Sequence, residues 1–261
     1  MSSLSDSDIA VSVQDVSITY RTTFERVPTF KQALAKAGRG QRRVKEIHAL
    51  QDVSFDIEHG STLGIIGHNG AGKSTLMRAM AGILPPTSGR IEIHGRVSTL
   101  LALGVGFNPT LSGRENVILG GLAAGMQRKQ VEAKYEEIAD FAELGDFMDA
   151  PMRTYSSGMY SRLAFAVAVH MEPDILLIDE ALSTGDAKFK SKAQAKMHEL
   201  TQKSSTMVLV SHALGTVKDM CDEVLWLDHG KFMMRDEPAK VVDAYTKFLE
   251  VGQTPEVLED L

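Results

Sequence analysis

The chain has few of the residues that staple secreted proteins. Among 261 residues there is one cysteine, Cys221, so no internal disulfide can form, and a reducing, cytoplasmic setting is the simpler reading. Positive charge is not in excess. Acidic residues number 34 against 28 basic ones, and the formal net charge of −6 argues against general nucleic-acid binding, while leaving room for a local basic patch. No apolar run reaches membrane-spanning length. The longest uncharged stretch, residues 97–113, contains Gly104, Gly106, Asn108, Pro109 and Gly113 and makes a poor spanning helix. The N-terminus carries Asp6 and Asp8 and lacks the basic start and apolar core of a signal peptide. What is present is ordinary for a soluble globular protein of one or two domains: 43% apolar and 24% charged residues.

The average charge hides one segment. Residues 21–47 hold eight basic side chains (Arg21, Arg26, Lys31, Lys36, Arg39, Arg42, Arg43, Lys45) against Glu25 and Glu46. Residues 28–36 read as a short helix with Pro28 near its start, and Gly38 and Gly40 end it. Two readings fit this insertion: a solvated surface, or a contact with anionic groups at a membrane surface.

On either side the pattern is strand and helix in alternation. Strands are expected at 9–20, 53–57, 63–66, 175–178, 206–210 and 224–227, with strand pairs within 90–101. Helices are expected at 74–81, 128–144, 162–170, 187–203 and 238–249. Short buried strands alternating with helices predict an α/β fold with a largely parallel central sheet. No internal repeat is visible.

Residues 67–75 read Gly-His-Asn-Gly-Ala-Gly-Lys-Ser-Thr, between a buried strand and a helix. This is the spacing of a phosphate-binding loop. Gly67, Asn69, Gly70, Ala71 and Gly72 bring the backbone close to phosphate oxygens. Amides of about residues 70–75, Thr75 included, then point inward at a helix N-terminus. Lys73 is placed to reach the β- and γ-phosphates, and the Ser74 hydroxyl to ligate Mg²⁺. Downstream, Ile175-Leu-Leu-Ile-Asp-Glu is a buried strand ending in two acids. Asp179 can hold Mg²⁺ through water at the carboxyl end of the sheet, and Glu180 can orient or deprotonate an attacking water. An apolar strand ending in Asp-Glu is weak evidence alone. Behind a phosphate loop it points to a nucleotide hydrolase.

Between the two lies Tyr155-Ser156-Ser157-Gly158-Met159, followed by Tyr160-Ser161-Arg162. In this order the motifs resemble the ATPase domains of ABC transporters. The resemblance spans about residues 8–250. Ser156 and Gly158 match the family signature Leu-Ser-Gly-Gly-Gln, and Tyr155, Ser157 and Met159 depart from it. The resemblance implies a P-loop NTPase (RecA-like) core with an antiparallel β subdomain and an α-helical signature subdomain. The core would take residues 8–99 and 165–250, the helical part 100–164, and the tail 251–261. It also implies that Tyr20 stacks on adenine and that Ser156, Ser157 and Gly158 bind γ-phosphate. His212 would be the switch histidine, and Asp186, in Ser183-Thr-Gly-Asp, would belong to the segment linking two nucleotide sites. ATP and Mg²⁺ are the implied cofactors.

One departure narrows the resemblance. The family carries a glutamine between the phosphate-loop helix and the helical part, and this chain has none between Gln51 and Gln127. Leu100-Leu-Ala-Leu-Gly-Val-Gly-Phe107 stands there instead. This looks like the polysaccharide, O-antigen and teichoic-acid exporter branch, with Ala102 where that branch often has Glu. The branch implies a motor driving lipid-linked glycan (galactan, O-antigen or teichoic-acid type) across the cytoplasmic membrane. Its partners would be a second copy of the chain and two separately encoded polytopic membrane subunits. No appended glycan-binding domain is expected, nor any nucleic-acid partner. Another ABC importer or drug exporter, or an ABC ATPase outside transport, are the competing readings.

Overall fold

The structure is a computed structural model that describes residues 8–23, 44–99, 106–171, 173–179, 187–202 and 206–251. Chain alternation builds its first layer. Strands β1 (Ile9–Thr23), β2 (Val44–Glu58) and β4 (Ser88–Ile93) form an antiparallel sheet in the order β2-β1-β4. The apolar alternation slips between Val13 and Val16 and between Leu50 and Val53, within a pair whose register shifts at several places. The slips are bulges, with Asp15 and Asp52 both at φ 49°. An extra residue at a bulge returns the following side chains to the buried face. Ser54 and Ser17, across the pair, accept hydrogen bonds from the displaced Asp15 and Asp52 N–H groups.

Both long strands run further than expected. Arg21 pairs with Glu46, Thr22 with Lys45 and Thr23 with Val44, so both ends of the basic insertion are strand. Its middle, including the helix expected at 28–36, lies outside the described residues.

The second sheet has six strands in the order β5-β6-β7-β3-β8-β9. They are β3 (Thr62–Ile66), β5 (Val97–Thr99), β6 (Ile175–Asp179), β7 (Thr206–Val210), β8 (Glu223–Asp228) and β9 (Lys231–Asp236). All neighbours are parallel except β8 and β9. The strand pairs expected within 90–101 therefore belong to different sheets. The chain leaves the antiparallel sheet after β4 and enters the parallel one at β5, where the Arg96 carbonyl accepts from the Asp174 and Ile175 N–H groups. Residues 100–101 and Ala102 lie outside the described residues.

The helices are α1 (Lys73–Met80), α2 (Gly113–Ala123), α3 (Arg128–Ala142), α4 (Ser157–His170), α5 (Ala187–Gln202), α6 (Leu214–Met220) and α7 (Pro238–Val251), with α2 and α3 packed on each other and on α4. Strand period two sorts the core. Ile175, Leu177, Val208 and Val210 pack toward β1, β2 and α1, while Leu176, Ile178, Met207 and Leu209 pack toward α3, α4 and α5. Trp226 is fully buried with Ile66 and Val224 under α7, where Tyr245 and Phe248 meet its ring edge-on.

Three helices differ from the expectation. Helix α4 starts five residues earlier than Arg162, at Ser157. Helices α2 and α6 were not foreseen. Gly113, Gly120 and Gly121 lower the helix propensity of α2, but close packing surrounds all three, and a Cβ on Gly113 would fall against the Tyr155 hydroxyl. A Cβ on Gly120 would meet Val167 of α4 at 2.8 Å, and one on Gly121 would meet Val131 of α3 at 2.2 Å. The readable signal was the capping box: Ser112 Oγ accepts from the Glu115 N–H, and the Glu115 carboxylate accepts from the Ser112 N–H.

Candidate functional site

The phosphate loop leaves the carboxyl end of β3 and turns directly into α1. Its glycines are dictated by neighbours. Gly67 has φ 148°, and a Cβ there would lie 2.2 Å from the Leu227 carbonyl oxygen. Gly72 has φ 105°, and a Cβ would lie 2.5 Å from the Ala49 carbonyl oxygen. Both positions exclude any side chain. Gly70, at φ 90°, meets nothing within 4 Å and faces open space. Gly72 is also the N-cap of α1 and supplies no capping side chain, so the first helical N–H groups look into the site without one.

Lys73 is 6% exposed. Its ammonium donates to the carbonyls of Gly67 at 2.7 Å and His68 at 2.9 Å, which fixes the curl of the loop. The Ser74 hydroxyl donates to Asp179 Oδ2 at 2.9 Å, joining α1 to the end of β6. Two oxygen donors are thus held together beside a buried cation. The hairpin turn between β8 and β9 props the loop from behind. Gly230 N–H donates to the Ala71 carbonyl at 2.9 Å, and the Gln51 N–H donates to the Gly230 carbonyl at 2.8 Å.

A cavity of about 330 Å³ opens over the loop. Its walls include Tyr20, Asn69, Gly70, Gly72, Lys73, Ser74, Thr75, Asp179 and His212. Four further wall residues, Ile47, His48, Ala49 and Val210, were not foreseen. The register that pairs Tyr20 with Ile47 puts β2 beside the aromatic, and His48 Nδ1 lies 3.0 Å from Thr19 Oγ1. No motif announces these positions; only the strand pairing does.

The other expected site residues stand elsewhere. Gly67 and Ala71 shape the loop from behind without lining the cavity. Ser156, Ser157 and Gly158 form the start of α4 and are not among the cavity walls. Ser156 Oγ accepts from the Met159 N–H at 3.2 Å as an N-cap, and Ser157 is exposed. Tyr155 has a structural partner: its hydroxyl donates to the Phe147 carbonyl, and burial pushes its phenol up from the ordinary value. Glu180, Ser183 and Asp186 lie outside the described residues.

Comparison with known proteins gives a consistent set of relatives. The sequence profile of the ABC transporter family matches residues 50–183. An O-antigen export system ATP-binding protein (RfbB) of Myxococcus xanthus is 46% identical over 94% of this chain. A teichoic acids export ATP-binding protein (TagH) of Lactococcus lactis is 42% identical over 87%. The chain spans 57% and 49% of these two relatives, respectively. An RfbB of Klebsiella pneumoniae is 42% identical over 76% of this chain, which covers 80% of that protein. Among solved structures, an ATP-binding subunit of an ABC transporter superposes with a TM-score of 0.71 at 21% identity, covering 96% of this chain and 98% of that one. A dimeric ATP-binding cassette bound to ADP and phosphate superposes with a TM-score of 0.68 at 22% identity, covering 87% and 98%. The fold is that of the P-loop ATPase cassettes.

Proposed function

The chain belongs to the ABC transporter family, and from that premise we propose that it is the ATP-hydrolysing motor of an exporter that moves a lipid-linked polysaccharide across the cytoplasmic membrane. The observation that carries the reading is the convergence of Lys73, Ser74 and Asp179 on one cavity at the carboxyl end of the parallel sheet. The export functions of the M. xanthus and L. lactis relatives, an O-antigen and a teichoic-acid system, support the class of cargo.

The residues fit a magnesium nucleotide. Gly70 leaves room for a phosphate, Lys73 supplies the buried cation, and Ser74 with Asp179 offers hard oxygen donors of the kind Mg²⁺ takes. Mg²⁺ bound there would neutralise charge across the β- and γ-phosphates. Tyr20 and Ile47 form an exposed edge suited to a flat base. Lys73 and His212 counter γ-phosphate charge, and Glu180 polarises the attacking water.

The start of α4 has no part in the cavity of its own chain. We read it as serving the site of a second copy, with Ser156, Ser157 and Gly158 presented to γ-phosphate at a helix N-terminus. Two copies closing head to tail would form two such sites, with Asp186 between them. ATP then favours the closed pair and hydrolysis the open one, a two-state element biased by its ligand. The motor would sit on the cytoplasmic face against two membrane subunits. Among the described residues no helix is long and apolar enough to cross a membrane. We divide the chain as one cassette: core 8–99 and 165–250, helical part 100–164, basic insertion 21–47 and tail 251–261.

The test is Glu180→Gln. This variant is expected to bind ATP, to lose turnover, and to accumulate as an ATP-dependent dimer in analytical ultracentrifugation. Turnover equal to that of the unaltered protein would remove Glu180 from the chemistry.

A further inference from the structure

The phosphate loop and the β8–β9 turn carry a second cluster that nucleotide binding does not use. His68 is the second residue of the loop, and Asp228 and His229 form the turn. One ligand atom from each of the three lies within 4.8 Å of the others. His68 Nε2 is 3.1 Å from Asp228 Oδ1, and His229 Nδ1 is 2.9 Å from Asp228 Oδ2. The two imidazoles tilt toward each other with centroids 4.5 Å apart.

The tautomer of His68 follows from its other nitrogen. Nδ1 lies 2.7 Å from the Asn69 carbonyl oxygen, which can only accept, so Nδ1 carries the proton. Nε2 is then the ring nitrogen left to bind a metal. That atom is buried and has no hydrogen-bond partner, although a carboxylate oxygen stands beside it. The oxygen stands within reach of Nε2 but out of line for a hydrogen bond, and a buried polar atom without a partner calls for an explanation.

We propose that His68, Asp228 and His229 form a binding site for a divalent transition metal of the zinc type. Two imidazoles and one carboxylate make a borderline-soft donor set that suits Zn²⁺ and not Mg²⁺, which takes oxygen ligands. The Nδ1–H donation to a backbone carbonyl is the outer contact that orients a metal-binding histidine and raises its basicity. His229 is 78% exposed at the side chain, which leaves a coordination position for water. Bound metal ties the phosphate loop to the turn, alongside the Gly230-to-Ala71 hydrogen bond that already joins them. This site is separate from Ser74 and Asp179 and does not depend on the nucleotide reading.

The test is Zn²⁺ binding to the full chain without nucleotide, measured by competition with a chromogenic chelator. The protein is expected to take one Zn²⁺ at this cluster, undisplaced by excess Mg²⁺. His229→Asn, which keeps a residue tolerant of the φ 46° backbone there, and Asp228→Asn should each weaken binding about tenfold or more. Circular dichroism checks that both variants fold, and their comparison with the unaltered protein separates this cluster from the other histidines. Equal zinc affinity in the protein and both folded variants, or no binding at all, would overturn the proposal. The cluster would then be a structural histidine–carboxylate contact between the loop and the turn.

Discussion

At Gly67 the backbone passes so close to the end of β8 that one methyl group would sit 2.2 Å from the Leu227 carbonyl oxygen. The obstacle is main chain and cannot rotate away, and the φ of 148° is itself strained for any other residue. Gly67→Ala is therefore expected to cost more than about 1 kcal/mol of stability. Urea unfolding followed by fluorescence of the single tryptophan, Trp226, measures it, because that ring is fully buried. A neutral Gly67→Ala would mean that the loop can shift without loss. Residues of this kind were legible in the sequence because their spacing is local: nine consecutive residues write the loop. His48 and Ile47 were not legible, because their place beside Tyr20 depends on a strand register that crosses the basic insertion.

Elements are held to one another by a few shared groups. Glu143 closes α3 in a left-handed conformation at φ 52°. Its carboxylate accepts from Lys192 at 3.0 Å, and from Lys188 and Arg162 at 3.2 Å each, so one side chain links α3 to α4 and α5. Hydrogen bonds from Lys192 and then Lys188 hold its pKa down at about 2. A carboxyl depressed on folding contributes stability that is fully present above its unfolded pKa of about 4.3 and is lost as pH falls through the folded value. Glu143→Gln should therefore lower the thermal midpoint at pH 7, and its difference from the unaltered protein should shrink as pH falls from about 4.3 toward about 2. A difference independent of pH would assign the effect to the backbone turn and not to the charge. Helix α2 shows the opposite kind of legibility. Its cap was written in Ser112 and Glu115, but Gly120 and Gly121 obscured the helix, because they are chosen for contacts with α3 and α4 that no local pattern displays.

At the scale of the whole molecule, the proposed site is divided between chains. Lys73 lines the cavity, while Ser156 caps α4 away from it. Lys73→Ala should reduce turnover about 10²- to 10³-fold, the usual effect of removing one charge-stabilising donor. Ser156→Asp keeps an N-cap acceptor but brings negative charge to phosphate, and it should be comparably inactive. Mixed dimers of these two variants are expected to regain ATP hydrolysis, since one site would combine intact Lys73 with intact Ser156. Sites complete within a single chain would show no recovery, and an ATPase assay on the mixed variants decides between the two. The sequence by itself determined the α/β class, the phosphate loop, the acidic strand end and the family, because each depends on residues near one another along the chain or on the order of short motifs. The tertiary structure alone decided that β4 and β5 belong to different sheets, that β2 supplies a cavity wall, and that His68 meets Asp228 and His229. Those contacts join residues far apart in sequence, and only strand register and sheet order bring them within reach.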